Sequence, residues 1–111
     1  MNHTAITSAV KEIQTIVDKH SGGRPNADVL AQIRAQTEII RRAADWGGYF
    51  NGKCGEIEDY AEALYSAAKH RHYDSPGLSG VEQLKQLIIR ESNSIAAQSS
   101  TSERISKESQ S

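Results

Sequence analysis

Glu56, Glu58, Asp59 and Glu62 place four carboxylates within one short stretch of the chain. On a helix Glu58 and Glu62 stand four apart and Asp59 and Glu62 three apart, so these side chains share a face. Hard cations such as Mg²⁺ take oxygen ligands of this kind, which makes Glu58, Asp59 and Glu62 the candidate metal residues. The plainer role of such a cluster is to complement the positive end of a helix dipole. His70-Arg71-His72-Tyr73-Asp74 is a second candidate. Its H-x-H-x-D spacing aligns three zinc ligands in an extended segment. In a helix His70 and His72 diverge by about 200°, and only His70 and Asp74 meet. The surrounding pattern is helical, so these residues read as the basic end of a helix. Cys54 is the only thiol. A cysteine nucleophile needs a positioned base, and no local motif supplies one, so Cys54 reads as a packing residue beside Phe50.

The carboxylate cluster resembles one half of the site in all-α nucleotide pyrophosphohydrolases, which set such residues on two neighbouring helices. The resemblance implies a Mg²⁺-dependent hydrolase, but the second set is missing: the last helix offers only Glu82 and Glu91, nine residues apart. A dimer mate would have to complete it. No glycine-rich phosphate loop is present, because Gly47-Gly48 and Gly52 follow a helical stretch and not a strand. The sequence therefore points to a protein with no catalytic site and no cofactor of its own.

Between the two central helical stretches lies Trp46-Gly47-Gly48-Tyr49-Phe50-Asn51-Gly52-Lys53-Cys54-Gly55. Three large rings among four glycines describe a structured junction rather than a floppy linker. Asn51-Gly52 matches a two-residue hairpin turn, but the arms are too short to hold much pairing energy. A helix-to-helix loop pinned by Trp46, Tyr49 and Phe50 is the expectation. Those rings either close the end of the core or anchor a partner.

Hydrophobic spacing sets the frame around this junction. Ile6, Val10, Ile13 and Val17, widened by Ala9 and Ile16, predict a helix over 4–20. Gly22-Gly23 supply its stop, and Asn26 is a plausible N-cap for the next helix, 27–45. That helix carries Val29, Leu30, Ile33, Ile40 and Ala44, with polar Thr37 in the seam and Arg34, Glu38, Arg41, Arg42 and Asp45 on its far face. Glu38 has helical spacing for pairing with Arg41 or Arg42. A third helix is expected over 55–73, with its stripe on Ile57, Tyr60, Ala61, Leu64, Ala67 and Ala68. A fourth is expected over 80–97, opened by a Ser79–Glu82 capping box and lined by Val81, Leu84, Leu87, Ile88, Ile95 and Ala96. The segment 98–111 is mostly Ser and charge, a composition that favours disorder. The fold class is thus all-α: a small four-helix bundle, antiparallel or orthogonal, spanning 1–97 with a disordered C-terminal tail.

Composition narrows the partners. The chain has 111 residues, 13 Lys+Arg against 14 Asp+Glu, and one Cys. Near-neutral charge supplies no global field for nucleic acid or an anionic membrane. Arg34, Arg41, Arg42, Lys85 and Arg90 remain a weak nucleic-acid alternative. One cysteine allows no internal disulfide, and the first residues do not read as a signal peptide, so a cytoplasmic location is expected. Trp46-Gly47-Gly48 between helices resembles the Trp-x-Gly turn of the small type VII secretion substrates. That resemblance implies a secreted helical hairpin that dimerises into a four-helix bundle. Two features depart from it: Gly22 to Asn26 interrupts the first helix, and neither Tyr60 nor Tyr73 has an acidic residue four positions on. The reading we carry forward is a non-enzymatic protein acting through protein–protein interaction, with another chain or as a homodimer. It would be an adaptor, inhibitor or accessory protein of bacterial or phage type, and Trp46, Tyr49 and Phe50 are its candidate interaction residues.

Overall fold

The computed structural model describes residues 1–20, 25–66 and 78–110, with side chains in the last segment described over 80–101. Four helices run α1 His3–Lys19, α2 Ala27–Ala43, α3 Gly48–Tyr65 and α4 Leu78–Gln110, with no strand among the described residues. Each of the first two starts on an asparagine. The Asn2 side chain accepts from the Ala5 N–H and Asn26 from the Val29 N–H, each satisfying a donor the first turn would otherwise leave open. The Gly22-Gly23 stop and the Ser79 capping hydroxyl lie outside what is described.

Each helix packs on its chain neighbours, and α4 returns onto α1, so the four stand at the corners of a square. Hydrogen bonds fix the directions. The Asn2 N–H donates to Ala43 O and the Asn26 N–H to Tyr65 O, both at 2.8 Å, joining the start of one helix to the end of the next. His3, at the start of α1, meets Ser99 far along α4 at 2.7 Å. This is an antiparallel up-down-up-down bundle, 22 × 22 Å in section and 54 Å long. The length comes from α4, whose rise of about 1.5 Å per residue exceeds the span of its neighbours.

The core is continuous from Ile6, Ile13 and Val17 of α1 through Ile33 and Ile40 of α2 and Ile57 and Leu64 of α3 to Ile88 and Ile95 of α4. The α1 and α2 seams expected from spacing are buried throughout. Two boundaries of α3 differ from expectation. The helix starts at Gly48 instead of 55, so most of the decapeptide is helical, and neither the loop nor the hairpin forms. Glycine disfavours helix by about 1 kcal/mol per residue. Yet Phe50, Cys54, Ile57, Ala61 and Leu64 step by four and three along one buried face, and that burial overrides propensity. The far end stops at Tyr65, where Ser66 is already extended. The Tyr65 carbonyl is taken by Asn26, and its buried ring sends its hydroxyl to His20 O at 3.3 Å. Residues 67–73 of the expected helix lie outside the described residues.

Packing also runs beyond the compositional boundary at 97. Ser99 is fully buried against α1, and the helical backbone continues to Gln110 through the segment whose composition favours disorder.

Candidate functional site

The turn joining α2 to α3 separates the three rings. At its start the Trp46 N–H donates to Arg41 O at 2.8 Å and the Asp45 N–H to Arg42 O at 3.1 Å. This nested pair is a Schellman ending, which requires a left-handed residue just past the helix. Asp45 and Trp46 both have positive φ, 52° and 59°, although two glycines follow directly. Gly47 instead caps α3, where an added Cβ would press on Ala44 O at 3.3 Å. Non-glycine residues in the left-handed region carry strain of about 1 kcal/mol or more each.

The result is a split display. Phe50 is buried, in phase with Cys54 and Ile57, while Trp46 keeps 55% and Tyr49 45% of its surface. Tyr49 meets Phe50 edge-to-face, centroids 5.7 Å apart, and carries the Lys53 ammonium 5.7 Å from its ring centre. Exposed Met1 stands at the same end of the bundle, since Asn2 binds the last turn of α2. Beside them Gly48, Gly52 and Gly55 fall on one face of α3, with nothing within 4 Å of where a Cβ would stand. That face is bare backbone.

The carboxylate cluster is not at the start of α3, because the helix begins seven residues earlier. No acidic residue lies in its first turn, so the helix-dipole role expected of the cluster falls away. Glu58 receives both terminal nitrogens of Arg41 at 2.8 Å, and its Oε2 lies 2.8 Å from the Thr37 hydroxyl. Arg41 Nε donates to Asn51 Oδ1 at 2.7 Å, and Arg34 binds Glu62 at 2.6 Å. Arg34, Thr37 and Arg41 on α2 thus meet Glu62, Glu58 and Asn51 on α3, rung by rung along an antiparallel seam. Asp59 is exposed and faces away. The structure therefore does not bring Glu58, Asp59 and Glu62 to one point, and each of the two seam glutamates faces an arginine. Among the described residues no group of three or more His, Cys, Asp or Glu could hold a metal ion.

The electrostatics suit a lock more than a catalyst. The Arg41 guanidinium, helped by the Thr37 hydroxyl, holds Glu58 below the usual carboxylate range against the opposing effect of burial. Arg41 is raised in turn by Glu58. Cys54 is fully buried, with its thiol directed at Thr37 O 3.6 Å away. Burial pushes that thiol up to about 12, which leaves it protonated and inert at physiological pH.

Two further polar contacts were missed because their partners are far apart in sequence. Ser99 and His3 pair an oxygen with an imidazole nitrogen, the start of an activated nucleophile. Ser99 has no exposed surface, so no substrate reaches it. The second lies between α3 and α4, where Lys53 Nζ stands 2.8 Å from Glu91 Oε2 and 3.6 Å from Glu56 Oε2. Extending the seam of α4 from Ile88 by three, seven and eleven reaches Glu91, Ile95 and Ser99. The spacing carried this signal and the polarity hid it.

His70, His72 and Asp74 lie outside the described residues. The five basic residues of the nucleic-acid alternative all have carboxylate partners: Arg34–Glu62, Arg41–Glu58, Arg42–Glu38, Lys85–Glu82 and Arg90–Glu91. Among the described residues no helix is long and apolar enough to cross a membrane. Fold and site together define an all-α helical bundle with an aromatic turn at one end. Comparison with family models, with curated proteins and with solved structures gave no match.

Proposed function

We propose that this protein is a non-enzymatic helical module that binds a protein partner, a second copy or another chain, through the end of the bundle bearing Trp46 and Tyr49. The observation that carries the reading is Trp46 itself, more than half exposed and held on strained backbone where glycine was available next door. Strain of this kind gathers at sites where a side chain must be held in a set direction. Rigid aromatic rings make efficient interface anchors, because little side-chain entropy is lost when they bind. Phe50 belongs to this site as the inward anchor that fixes the turn, not as a contact residue. The bare face of α3 at Gly48, Gly52 and Gly55 would let a partner's backbone approach closely. A lone buried thiol suits the reducing cytoplasm, where we place the protein.

The test is a pair of α3 variants, Gly52→Ala and Gly55→Ala, read for stability and association together. Each should stabilise the fold by about 0.5–1 kcal/mol, since the positions are helical and open. Association should weaken with the same change. Sedimentation velocity from micromolar to near-millimolar concentration, followed by Trp46 emission, reads the self-association case. Photocrosslinking from positions 46 and 49, with exposed Lys11 as control, reads another chain. A monomer whose positions 46 and 49 give no adduct beyond the Lys11 control overturns the proposal.

A further inference from the structure

We propose that Asn51-Gly52 is a self-modifying site: the Gly52 nitrogen displaces the side-chain amide of Asn51, and the products divide the chain into a form with a tightened α2–α3 turn and a form with a broken one. The dipeptide has the composition of a hairpin turn, yet it lies at the start of α3. The chain has four asparagines, and Asn2, Asn26 and Asn93 are followed by His, Ala and Ser. Only after Asn51 does the next residue lack a Cβ to shield its backbone nitrogen. Both residues are exposed, and nothing stands within 4 Å of where a Gly52 Cβ would be. Water therefore reaches the site.

The reaction balances without a cofactor. The Gly52 nitrogen gives up its proton and bonds to Asn51 Cγ, the Cγ–Nδ2 bond breaks, and ammonia leaves, closing a five-membered imide. Water then opens the imide. Cleavage at Cγ leaves aspartate, and cleavage at the main-chain carbonyl leaves isoaspartate, with the chain routed through the side chain. The ring does not close at helical ψ, and in the helix the Gly52 N–H belongs to the i to i−4 ladder, so the first turn of α3 must open first. That turn is weakly closed. Its N-cap, Gly47, makes no side-chain hydrogen bond and no acidic residue complements its dipole, whereas α1 and α2 each start on a capping asparagine. Gly48 and Gly52 each disfavour helix by about 1 kcal/mol. Arg41 Nε ties the Asn51 side chain to α2 through Oδ1 at 2.7 Å. Because Glu58 grips the other two nitrogens of Arg41 at 2.8 Å, the guanidinium stays in place when the turn opens and meets the product. Aspartate at this position gives Arg41 a charge-assisted partner and supplies the first turn with its missing carboxylate. Isoaspartate adds a methylene to the main chain and breaks the ladder next to Phe50.

The full chain, kept at neutral pH, should release ammonia and convert Asn51, but not Asn2, Asn26 or Asn93, as read by peptide mapping that resolves aspartyl from isoaspartyl forms. The native rate should fall within about a hundredfold of the rate in urea, the scale of opening one terminal turn and far short of global unfolding. Gly52→Ala keeps the fold because its position is open. It should slow conversion several-fold in urea as well as in water, since the added Cβ shields the nitrogen. Amide protection over residues 50–54 should survive in the aspartyl form and collapse in the isoaspartyl form. Asn51→Asp, made directly, should be at least as stable as the native chain. A native rate more than a hundredfold below that in urea overturns the site, as does equal conversion at Asn26 or Asn93, or a Gly52→Ala rate unchanged in urea. An Asn51→Asp variant less stable than the native chain, or an isoaspartyl form that keeps its protection, overturns the division into two forms.

Discussion

Replacing Arg41 by Met tests the α2–α3 lock most directly. Methionine keeps an aliphatic stem of similar reach and deletes three hydrogen bonds, two to Glu58 and one to Asn51. Arg41 and Glu58 retain 15% and 22% of their side-chain surface, so the pair falls between two limits. Exposed pairs contribute about 0–1 kcal/mol, and breaking a buried one costs about 3–5 kcal/mol. The expected loss for Arg41→Met is therefore about 2–3 kcal/mol, or roughly 10 °C in Tm for a domain of this size. Arg42→Met is the control. Arg42 binds Glu38 four residues away at an exposed site, 74% and 42% accessible, where such pairs contribute about 0.3–0.5 kcal/mol. Urea unfolding of both variants, with Glu58→Gln to close a double-mutant cycle, measures the coupling. The pH dependence has a fixed sign. Glu58 is held below its unfolded value, so its contribution is complete above about pH 4.3 and is lost as pH falls through the lower native value. The gap between the native protein and Arg41→Met should narrow along that acid limb. A gap within about 0.5 kcal/mol of the Arg42→Met control, or one unchanged in acid, refutes the lock.

Other substitutions separate the neighbouring residues. Phe50→Ala should cost about 3–4 kcal/mol by chemical denaturation, while Tyr49→Ala should cost under about 1 kcal/mol, since Tyr49 keeps 45% of its surface exposed. Equal effects would contradict the inward and outward assignment of the two rings. Asp45→Gly should raise stability by about 0.5–1 kcal/mol, because glycine accepts φ 52° without Cβ strain. A loss would mean that the exposed contact of Asp45 Oδ2 with the N-terminal ammonium, 3.5 Å away, outweighs the strain. Cys54 should resist thiol reagents at pH 8 at a rate limited by unfolding, since its thiol is buried and raised to about 12. Rapid modification of the native protein would show the seam to be open.

The parts of this fold that were legible in the sequence are those where polarity and position agree. In α1, Ile6, Ala9, Val10, Ile13, Ile16 and Val17 are all buried, as their spacing requires. Thr37 is instructive because its hydroxyl looked out of place in the α2 seam. It is fully buried there and satisfied by Arg34 O at 3.0 Å and by Glu58. Where polarity and position conflict, the reading failed. Glycine propensity argued for a loop at 48–54, and composition alone gave no weight to the fact that Phe50 and Cys54 extend the phase of Ile57. One misplaced boundary then carried three errors. It moved the acidic residues into a first turn, merged Phe50 with its exposed neighbours, and hid the pairing of Arg41 with Glu58. Glu91, Ser92 and Ser99 failed for the mirror reason: they are polar residues on core positions of α4, each held by a partner on another helix or by the backbone.

The lock and the aromatic turn meet in one residue. The Arg41 carbonyl accepts the Trp46 N–H that closes the Schellman ending, while its side chain grips Glu58 and reaches Asn51 in the first turn of α3. Main chain and side chain of a single arginine therefore hold both sides of the turn. This explains how left-handed strain at Asp45 and Trp46 persists beside four glycines that weaken the start of α3. Strained backbone survives only where its surroundings over-determine it, and here the surroundings are Arg41 from one side and the buried Phe50 from the other. Stability of the bundle and direction of the Trp46 ring are then set by the same contacts. The polar ladder between α2 and α3, which looked like a metal site by composition, acts instead as the frame on which the exposed ring is mounted.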